Sequence, residues 1–405
     1  MAGEWPTVEI GAVADIYDGP HATPSFVDAG PVFLGIDALE EGRLDLSQTR
    51  HVTEDVFREW TRRVVPRSGD LVFSYETRIG QAALIPKGLK CCLGRRLALA
   101  RPKSEALNNR YLLYYYLGPA FQEHLRAHTK PGSTVDRIHL RDFPKFPLVL
   151  PPRPYQDAVA ELLGAIDDKI ELNRRMAANL EEMARTLFKS WFGEFDRARS
   201  QTAQCLIDEG TIEIGDGYRA KNDELRAEGV PFIRAANLVE SIDTMGAEKL
   251  DRSSALRAGS KMSRVGDVAF TSKGTIGRLA RISQFTEECV YSPQVCYWRT
   301  LDENKIHRAI LYFIITDRFF QAQINEVSRE TDMAPYVSLQ NQKRFRLPTL
   351  PSSQAERGVE LEQFLLRREQ LFEQNKILVN LRDTLLPKLI SGDLRIKDAE
   401  KAVAA

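Results

Sequence analysis

The segments RSGDLVFSYETRIG (residues 67–80) and RVGDVAFTSKGTIG (residues 264–277) are two copies of one motif. The shared residues keep the same internal spacing: Arg67, Gly69, Asp70, Phe73, Ile79 and Gly80 match Arg264, Gly266, Asp267, Phe270, Ile276 and Gly277. Other residues recur in the same order around them: Phe33 and Leu39 as Phe232 and Leu238, Phe121-Gln122 as Phe320-Gln321, and Leu140 and Phe146 as Leu339 and Phe345. The period is far longer than the roughly 20–50 residues of a solenoid repeat. The chain is therefore predicted to contain a duplicated domain.

The composition fits two domains without a membrane anchor. The 405 residues suffice for two domains that each bury a core. No apolar run approaches the roughly 20 residues that span a bilayer, and residues 1–6 lack the features of a signal peptide. The five cysteines form no CxxC pair, which favours a reducing compartment. We therefore expect a cytoplasmic protein with no membrane partner. The formal net charge of +0 argues against non-specific polyanion binding, so a nucleic-acid function needs other support.

Each copy is predicted to have an α+β fold. In the first copy, β-branched and aromatic residues between turn residues predict strands at 32–36 and between 69 and about 101. The spacing of Leu112, Tyr115, Tyr116 and Phe121 predicts one amphipathic helix from about 108 to 127. The proline cluster that ends at Pro152 marks a boundary.

Each copy is followed by a long helix with coiled-coil spacing. Positions that are apolar except for Asn173 lie alternately four and three apart between Val159 and Trp191, and every seventh residue from Phe364 to Leu385 is apolar. A helix of about 40 residues is about 60 Å long, which is too long to pack on one small domain. The two helices are therefore predicted to pack on each other, although either alone could lie on its own domain. The predicted interface residues are Leu163, Ile166, Ile170, Asn173, Leu180, Leu187, Leu371, Asn375, Leu378 and Leu385.

Two features of these helices lead to predictions: the asparagines in the apolar seam and the aromatic residues at the end of the first helix. An Asn in an apolar seam fixes register at a cost in stability, so replacing Asn173 or Asn375 with Leu is expected to keep or raise thermal stability. Phe188, Trp191, Phe192 and Phe195 are more aromatic residues than one seam can bury. Part of this aromatic cluster is predicted to dock on a globular domain or on a partner.

A duplicated domain on paired helices predicts that the helices fix the distance between the two domains. Pseudo-twofold symmetry would make the helices antiparallel and place the domains at opposite ends. If each domain reads a short sequence in a groove, helix length sets the distance between half-sites, phased by the DNA turn of about 10–10.5 base pairs. Because the copies differ, the half-sites are expected to differ.

Two stretches carry a family resemblance. The first comprises Pro151-Pro152 to Gln156, Ala165-Ile166-Asp167-Asp168-Lys169-Ile170, Leu172-Asn173, Asn179-Leu180, and Leu187-Phe188-Lys189 to Phe192 and Phe195. The second comprises the run from Leu381 to Leu389 with Ser391-Gly392-Asp393-Leu394. They resemble the central and C-terminal conserved regions of the specificity subunit of type I restriction-modification enzymes. With the two copies, the resemblance covers nearly the full length.

The resemblance implies a domain plan and a function. Target recognition domains would occupy residues 1–152 and 197–351, conserved helical regions 153–196 and 352–395, and a tail 396–405. The two α+β domains would be related by a pseudo-twofold axis and joined by two long antiparallel coiled-coil helices. The chain would be a non-catalytic subunit without a cofactor that reads a split site in double-stranded DNA. Its implied partners are two modification subunits, which use S-adenosylmethionine to methylate adenine, and restriction subunits, which use ATP and Mg²⁺.

Candidate DNA contacts lie in loops rich in Arg, Lys, Ser, Thr and aromatic residues. Arg suits guanine, Gln and Asn suit adenine, and Ser, Thr and Lys mostly contact phosphate. Arg78 is the leading candidate for reading a base, and Lys273 for contacting phosphate. The candidates are Thr23, Tyr75, Thr77, Arg78, Arg95, Arg96, Lys130, Ser133, Thr134 and Arg137 in the first copy, and Tyr218, Arg219, Lys221, Thr271, Ser272, Lys273, Thr275, Gln294, Arg329 and Tyr336 in the second.

The sequence predicts neither a catalytic nor a metal site. No GxxxxGK[ST] phosphate-binding loop occurs, since Gly88 to Gly94, the stretch considered for it, continues with two arginines, and no NPPY-like segment of an adenine methyltransferase occurs. His124 and His128 lack a third metal ligand and fit a surface pair better. The acid after each repeated glycine fits a turn better than a nuclease. Two alternatives stay open: an enzyme whose two lobes form one active site, and a structural coiled-coil adaptor.

Overall fold

The computed structural model describes residues 5–130, 135–195, 197–239, 241–329 and 336–404. Its contacts divide the chain into unit 1, Met1–Ile170 with Ile377–Ala405, and unit 2, Glu171–Lys376. The division passes through both long helices. Each unit therefore contains one copy of the repeat and one part of each helix.

The first copy consists of small sheets flanked by helices. Its strands are β1 (Thr7–Glu9), β2 (Ala14–Asp18), β3 (Val27–Leu34), β4 (Leu39–Glu40), β5 (Arg43–Leu44), β6 (Arg50–His51), β7 (Leu71–Ser74), β8 (Ala82–Leu84), β9 (Cys91–Leu93), β10 (Leu97–Pro102) and β11 (Pro147–Val149). They form a four-stranded sheet of order β2-β10-β7-β8, a three-stranded sheet of order β6-β3-β9, and the pairs β1-β11 and β4-β5. Its helices are α1 (Ile10–Val13), α2 (Glu54–Trp60), α3 (Asn109–Leu117) and α4 (Pro119–His128), followed by the long helix α5 (Arg153–Phe192).

The second copy follows the same plan. Its strands are β12 (Ser200–Thr202), β13 (Ile212–Asp216), β14 (Leu225–Arg226), β15 (Val230–Ile233), β16 (Glu248–Leu250), β17 (Val268–Thr271), β18 (Leu279–Arg281), β19 (Val290–Tyr291), β20 (Val295–Thr300) and β21 (Arg346–Pro348). Its sheets have the orders β13-β20-β17-β18 and β14-β16-β15-β19, with the pair β12-β21. Its helices are α6 (Ala203–Asp208), α7 (Arg252–Ala258), α8 (Arg308–Thr316), α9 (Arg318–Arg329) and α10 (Leu339–Arg344), followed by the long helix α11 (Gln354–Ser391) and by α12 (Ile396–Ala404).

The two copies have matching topology. The antiparallel sheet β2-β10-β7-β8 corresponds strand by strand to β13-β20-β17-β18. A second sheet in each copy contains one parallel pair, β3 with β9 and β15 with β19. The first strand of each copy pairs with the last, β1 with β11 and β12 with β21. The duplication predicted from the repeated motif is thereby confirmed at the level of the fold.

The repeated motif forms a turn that is tied to the central sheet. Gly69 and Gly266 have φ angles of 87° and 92°, which favour glycine. The following carboxylate accepts a hydrogen bond within its own turn, from the backbone N–H of residue 67 or 264 at 2.7 and 2.9 Å. The same carboxylate binds Arg101 or Arg299 on the neighbouring strand at 2.6–2.8 Å. The repeated Gly-Asp therefore closes a turn and pairs an arginine, as expected of turn residues.

The prediction of one continuous helix over about 108–127 is wrong, because the structure has two helices there. α3 ends at Leu117 and α4 begins at Pro119. Gly118 between them has an extended backbone, with φ −62° and ψ 143°. Pro119 cannot donate the hydrogen bond that would continue α3, although it suits the first turn of a new helix.

In unit 1, α5 and α11 pack against each other and against the first copy. Leu163, Ile166 and Ile170 of α5 share a core with Leu385 and Leu389 of α11. The hydroxyl group of Tyr155 donates a hydrogen bond to the carbonyl of Leu389 at 2.9 Å. Arg382, close to the predicted seam, binds Asp167 at 3.0 Å.

In unit 2, the same two helices run antiparallel. The amide of Asn173 donates a hydrogen bond to that of Asn375 at 2.9 Å, and Arg357 lies over the Trp191 ring, 5.5 Å from its centroid. Residues later in α5 therefore contact residues earlier in α11, as they must in an antiparallel pair. Of the ten predicted interface residues, Leu180, Leu187 and Leu378 are half-buried and the others are buried.

The aromatic cluster at the end of α5 docks in part on the second copy. Phe188 is buried and stacks on Phe313 of α8, with ring centroids 5.4 Å apart. Phe192 and Phe195 pack around Phe188 at 5.1 and 5.6 Å. Docking on a globular domain, one of the two predicted outcomes, is thereby confirmed.

Among the described helices, none is both long and apolar enough to cross a membrane.

Candidate nucleic-acid interface

In unit 1, three loops that carry candidate residues lie side by side. The loop after β7 is bonded to the segment before β11, because the backbone N–H of Thr77 donates to Asp136 at 3.2 Å and that of Ile138 to Tyr75 at 2.8 Å. It is also bonded to the β9–β10 turn, residues 94–97, because the N–H of Tyr75 donates to the carbonyl of Arg96 at 3.2 Å. These bonds bring together residues that are far apart in sequence.

The arginines of these loops differ in how firmly they are held. Arg96 binds Glu76 at 3.3 Å and Thr77 at 3.2 Å. Arg78 donates hydrogen bonds to the carbonyls of Ile36 and Asp37, at 3.2 and 3.4 Å. Arg95 is exposed and makes no hydrogen bond or ion pair with the described residues. Its guanidinium group is therefore available to an external ligand.

Two non-glycine residues of these loops have left-handed backbones. Thr77 has φ 66° and Arg96 has φ 75°, and such conformations cost energy and concentrate at functional sites. The hydrogen bond between these two side chains ties the loop after β7 to the β9–β10 turn. The surface is thus built before any ligand binds.

A cavity of about 330 Å³ opens beside Arg95 and Arg96. Thr23 lines it, as do Phe26, Phe33 and Arg50. The guanidinium carbon of Arg50 lies 4.6 Å from the centroid of the Phe26 ring. Sequence reasoning missed these last three residues. The presence of Arg50 with two aromatic residues, Phe26 and Phe33, in one stretch of 25 residues was the signal that could have indicated them.

Tyr75 cannot contact DNA directly in this structure. Its side chain is buried, and its hydroxyl group donates to Asp18 at 2.9 Å. Burial is the main cause that raises the pKa of Tyr75, and the neighbouring Asp18 adds to it. Its role is to support the loop that carries Thr77 and Arg78. Lys130 and Arg137 are exposed and joined by backbone hydrogen bonds of 2.9 and 3.1 Å, whereas Ser133 and Thr134 lie outside the described residues.

In unit 2, the corresponding loops also converge. The N–H of Ser272 donates to Gln294 at 2.9 Å, and that of Val337 to Ser272 at 3.0 Å. Lys273 lies over the ring of Tyr336, with its Nζ atom 4.6 Å from the centroid. Gln294 and Tyr336 are exposed. Lysine, tyrosine and glutamine therefore form one patch.

Thr271 and Ser272 are buried and do not reach solvent. The hydroxyl group of Thr271 donates to the carbonyl of Thr275, and that of Ser272 to the carbonyl of Gln294 at 3.3 Å. They shape the loop, and the structure does not leave them free to contact DNA. Thr275 is exposed at the tip of the same loop.

A second segment of unit 2 adjoins this patch. Arg219 is exposed and close enough to Tyr336 to oppose the rise in the pKa of Tyr336 that burial causes. Tyr218 donates to Glu224 at 3.0 Å, so its hydroxyl group is occupied. The Lys221 side chain is exposed. The side chain of Arg329 lies outside the described residues.

The acids that could have suggested a nuclease are structural. Asp70 and Asp267 are buried and each pairs with one arginine, as described above. Among the described residues, no group of three or more His, Cys, Asp or Glu side chains could hold a metal ion. The His124 and His128 rings are 4.1 Å apart, packed on each other. The residues on these loops can bind by hydrogen bond and charge.

Comparisons with known proteins agree on one family. Residues 4–182 match the family model described as type I restriction modification DNA specificity domain. The specificity subunit of the type I restriction enzyme MjaIX from Methanocaldococcus jannaschii is 24% identical over 379 residues, covering 86% of this chain and 83% of that protein. The HindI specificity subunit from Haemophilus influenzae is 36% identical over 88 residues, covering 22% of this chain and 18% of that protein.

A solved structure extends the likeness to the whole fold. The S subunit of the type I restriction-modification system of M. genitalium superposes with a TM-score of 0.60 and 16% identity. The superposition covers 95% of this chain and 96% of that one. At this identity the likeness concerns the fold.

Proposed function

The chain belongs to the specificity subunits of type I restriction-modification systems, and we propose that it reads a bipartite, asymmetric DNA site with one half-site per globular copy. A specificity subunit recognises DNA and is not itself the catalyst. The chemistry of the complex would belong to its partners.

One observation carries the bipartite proposal. Each copy gathers exposed polar side chains on the equivalent loops, those after β7 and β17 and those before β10 and β20. The residues on these loops differ between copies, with arginines in the first and Lys273 and Gln294 in the second. Two like scaffolds with unlike contact residues suit two different half-sites.

The partners follow from the family. Specificity subunits of type I systems act with modification and restriction subunits. We propose two modification subunits that use S-adenosylmethionine to methylate adenine, and restriction subunits that use ATP and Mg²⁺. We also propose that the paired helices α5 and α11 set the spacer between the half-sites.

Methylation mapping tests this function. The full chain would be co-expressed with its modification subunit in a host without other adenine methylation, and methylated adenines would be mapped across the genome. The expected result is one split motif with two different halves and a fixed spacer. An uninterrupted motif, or no methylation although both subunits co-purify, would contradict the proposal. In a gel-shift assay, the complex and not the chain alone is expected to retard a duplex that carries the motif.

A further inference from the structure

The turn between β9 and β10 and the turn between β19 and β20 are held by the same backbone bonds. In unit 1, the N–H of Gly94 donates to Leu34 at 2.7 Å, and the N–H of Leu97 closes the turn onto Gly94 at 3.4 Å. In unit 2, Ser292 donates to Ile233 at 2.9 Å and Val295 closes onto Ser292 at 2.9 Å. Both turns therefore start from the end of the parallel strand pair and have two central residues.

The second central residue has the same place in both copies. Its carbonyl accepts a hydrogen bond from the loop after β7 or β17, from Tyr75 to Arg96 at 3.2 Å and from Ser272 to Gln294 at 2.9 Å. Tyr75 and Ser272 in turn accept from Ile138 and Val337 at 2.8 and 3.0 Å. Each turn is thus fixed on both sides within its own unit.

Close packing fixes the first turn further. A Cβ atom on Gly94 would lie 2.4 Å from the carbonyl oxygen of Leu34 and 2.9 Å from the Phe33 ring. The turn therefore lies directly on the sheet. Side chains that leave such a turn have a defined direction, which is what base reading requires.

Each turn has one polar side chain that makes no hydrogen bond or ion pair with the described residues. In unit 1 the central residues are Arg95 and Arg96, and Arg96 is held by Glu76 and Thr77. In unit 2 they are Pro293, which has no polar side-chain group, and Gln294, whose exposed amide makes no hydrogen bond with the described residues. Arg95 and Gln294 are therefore the two polar side chains of these turns that can bind an external ligand.

From this geometry we infer that Arg95 and Gln294 are the base-reading residues of these two turns, a conclusion that rests on the proposed function. Arginine pairs with the O6 and N7 atoms of guanine, and glutamine with the N6 and N7 atoms of adenine, in the major groove. Arg95 therefore reads a guanine in the half-site of the first copy, and Gln294 reads an adenine in that of the second. Arg78, which donates to two carbonyl groups of its own domain, has a supporting role.

Methylation mapping of three variants tests this assignment. Arg95→Ala is expected to relax one guanine position of one half-site to any base, and Gln294→Ala one adenine position of the other, with the spacer unchanged in both variants. Arg96→Ala is the matched control, because it removes the same side chain from the neighbouring residue. It is expected to lower methylation at all sites without changing the motif. An unchanged motif for Arg95→Ala, or a relaxed one for Arg96→Ala, would overturn the assignment of Arg95.

A chemical change in the DNA tests the same contact in the wild-type complex and in Arg95→Ala. Each guanine in the first half-site would be replaced by 7-deazaguanine, which lacks the N7 acceptor, and binding of the wild-type complex would be measured. The expected loss is roughly 5- to 150-fold at one position. With Arg95→Ala the same replacement should cost less than about 2-fold. Equal losses for both proteins, or a first half-site without any guanine, would refute the inference. If the wild-type complex methylates no split motif, the proposed function itself fails.

Discussion

At the residue scale, the buried amide pair of Asn173 and Asn375 has the clearest energetic consequence. The exposed fractions of the two residues are 0% and 9%. Their amides are joined at 2.9 Å, and Asn173 also lies 3.4 Å from Gln374. A buried amide hydrogen bond contributes little net stability, but losing one partner leaves the other group desolvated. The pair therefore serves register more than stability.

This contact changes the expectation for a single Asn→Leu variant. Asn173→Leu alone should lower the free energy of unfolding by about 1–3 kcal/mol, because Asn375 loses this hydrogen bond while staying buried. Asn173→Leu with Asn375→Leu should be as stable as the wild type or more so. Urea unfolding of the three proteins measures this. A double variant less stable than the single one would show that the amides hold a larger network.

Lys273 offers the simplest test of a phosphate contact. Its ammonium group lies over the exposed Tyr336 ring, and lysine contacts phosphate without reading sequence. Lys273→Ala is expected to weaken binding to all duplexes alike and to reduce the slope of log Kobs against log salt concentration by about 1. Lys397→Ala, which changes an exposed lysine of α12, serves as the control. A change in base preference for Lys273→Ala would contradict this role.

Residue type predicted which loops carry polar groups but not which groups are free. Tyr75 and Ser272 looked like contact residues, yet both are buried beneath the equivalent turns. Arg95 and Arg96 are adjacent and identical in type. Glu76 and Thr77, brought close by tertiary hydrogen bonds, bind the side chain of Arg96 and not that of Arg95. Such differences depend on long-range contacts that local sequence does not report.

At the element scale, α11 is joined to the second copy by a buried charge network. Arg281 at the end of β18 binds Glu362 at 2.5 Å and also binds Glu369. Exposure of these side chains is 1%, 5% and 6%, and burial raises the pKa of Glu369. In the first copy, Leu84 holds the equivalent strand position, since it pairs with Leu71 as Arg281 pairs with Val268. At this strand position the second copy therefore has a buried arginine that pairs with α11, and the first copy has an apolar side chain.

Removing the arginine should destabilise unit 2. Arg281→Met leaves two buried carboxylates without this partner, and breaking a buried pair from one side typically costs about 3–5 kcal/mol. Thermal or urea unfolding would measure the loss, with the exposed Arg367→Met as the control. A loss below about 1 kcal/mol would indicate that water or Arg308, which already binds Glu362 at 3.1 Å, replaces Arg281.

The elements themselves were largely predictable because their signals are local. Heptad spacing predicted both long helices, which begin at Arg153 and Gln354. The break at Gly118-Pro119 also has a local signal, since proline ends a preceding helix. The apolar spacing continues across this proline, however, and predicted a single helix. The sheet orders depend on crossovers between distant strands, such as β7 lying beside β10. Periodicity cannot indicate these.

At the scale of the whole molecule, the proposed function requires the two half-sites to be read separately. The two copies have equivalent sheets and equivalent loops, while their exposed loop residues differ. If each copy reads its own half-site, the sequence read by one should not depend on the residues of the other. The helices should fix the spacer whichever domains are attached.

The most direct measurement is the methylated motif of a domain exchange. Residues 1–152 would be replaced by the corresponding domain of a type I specificity subunit with a different motif, while α5, α11 and the second copy are kept. Mapping of methylated adenine should return a motif with one new half, the other half unchanged, and the original spacer. A motif in which both halves change, or one that stays intact, would contradict the claim that the two copies read DNA separately.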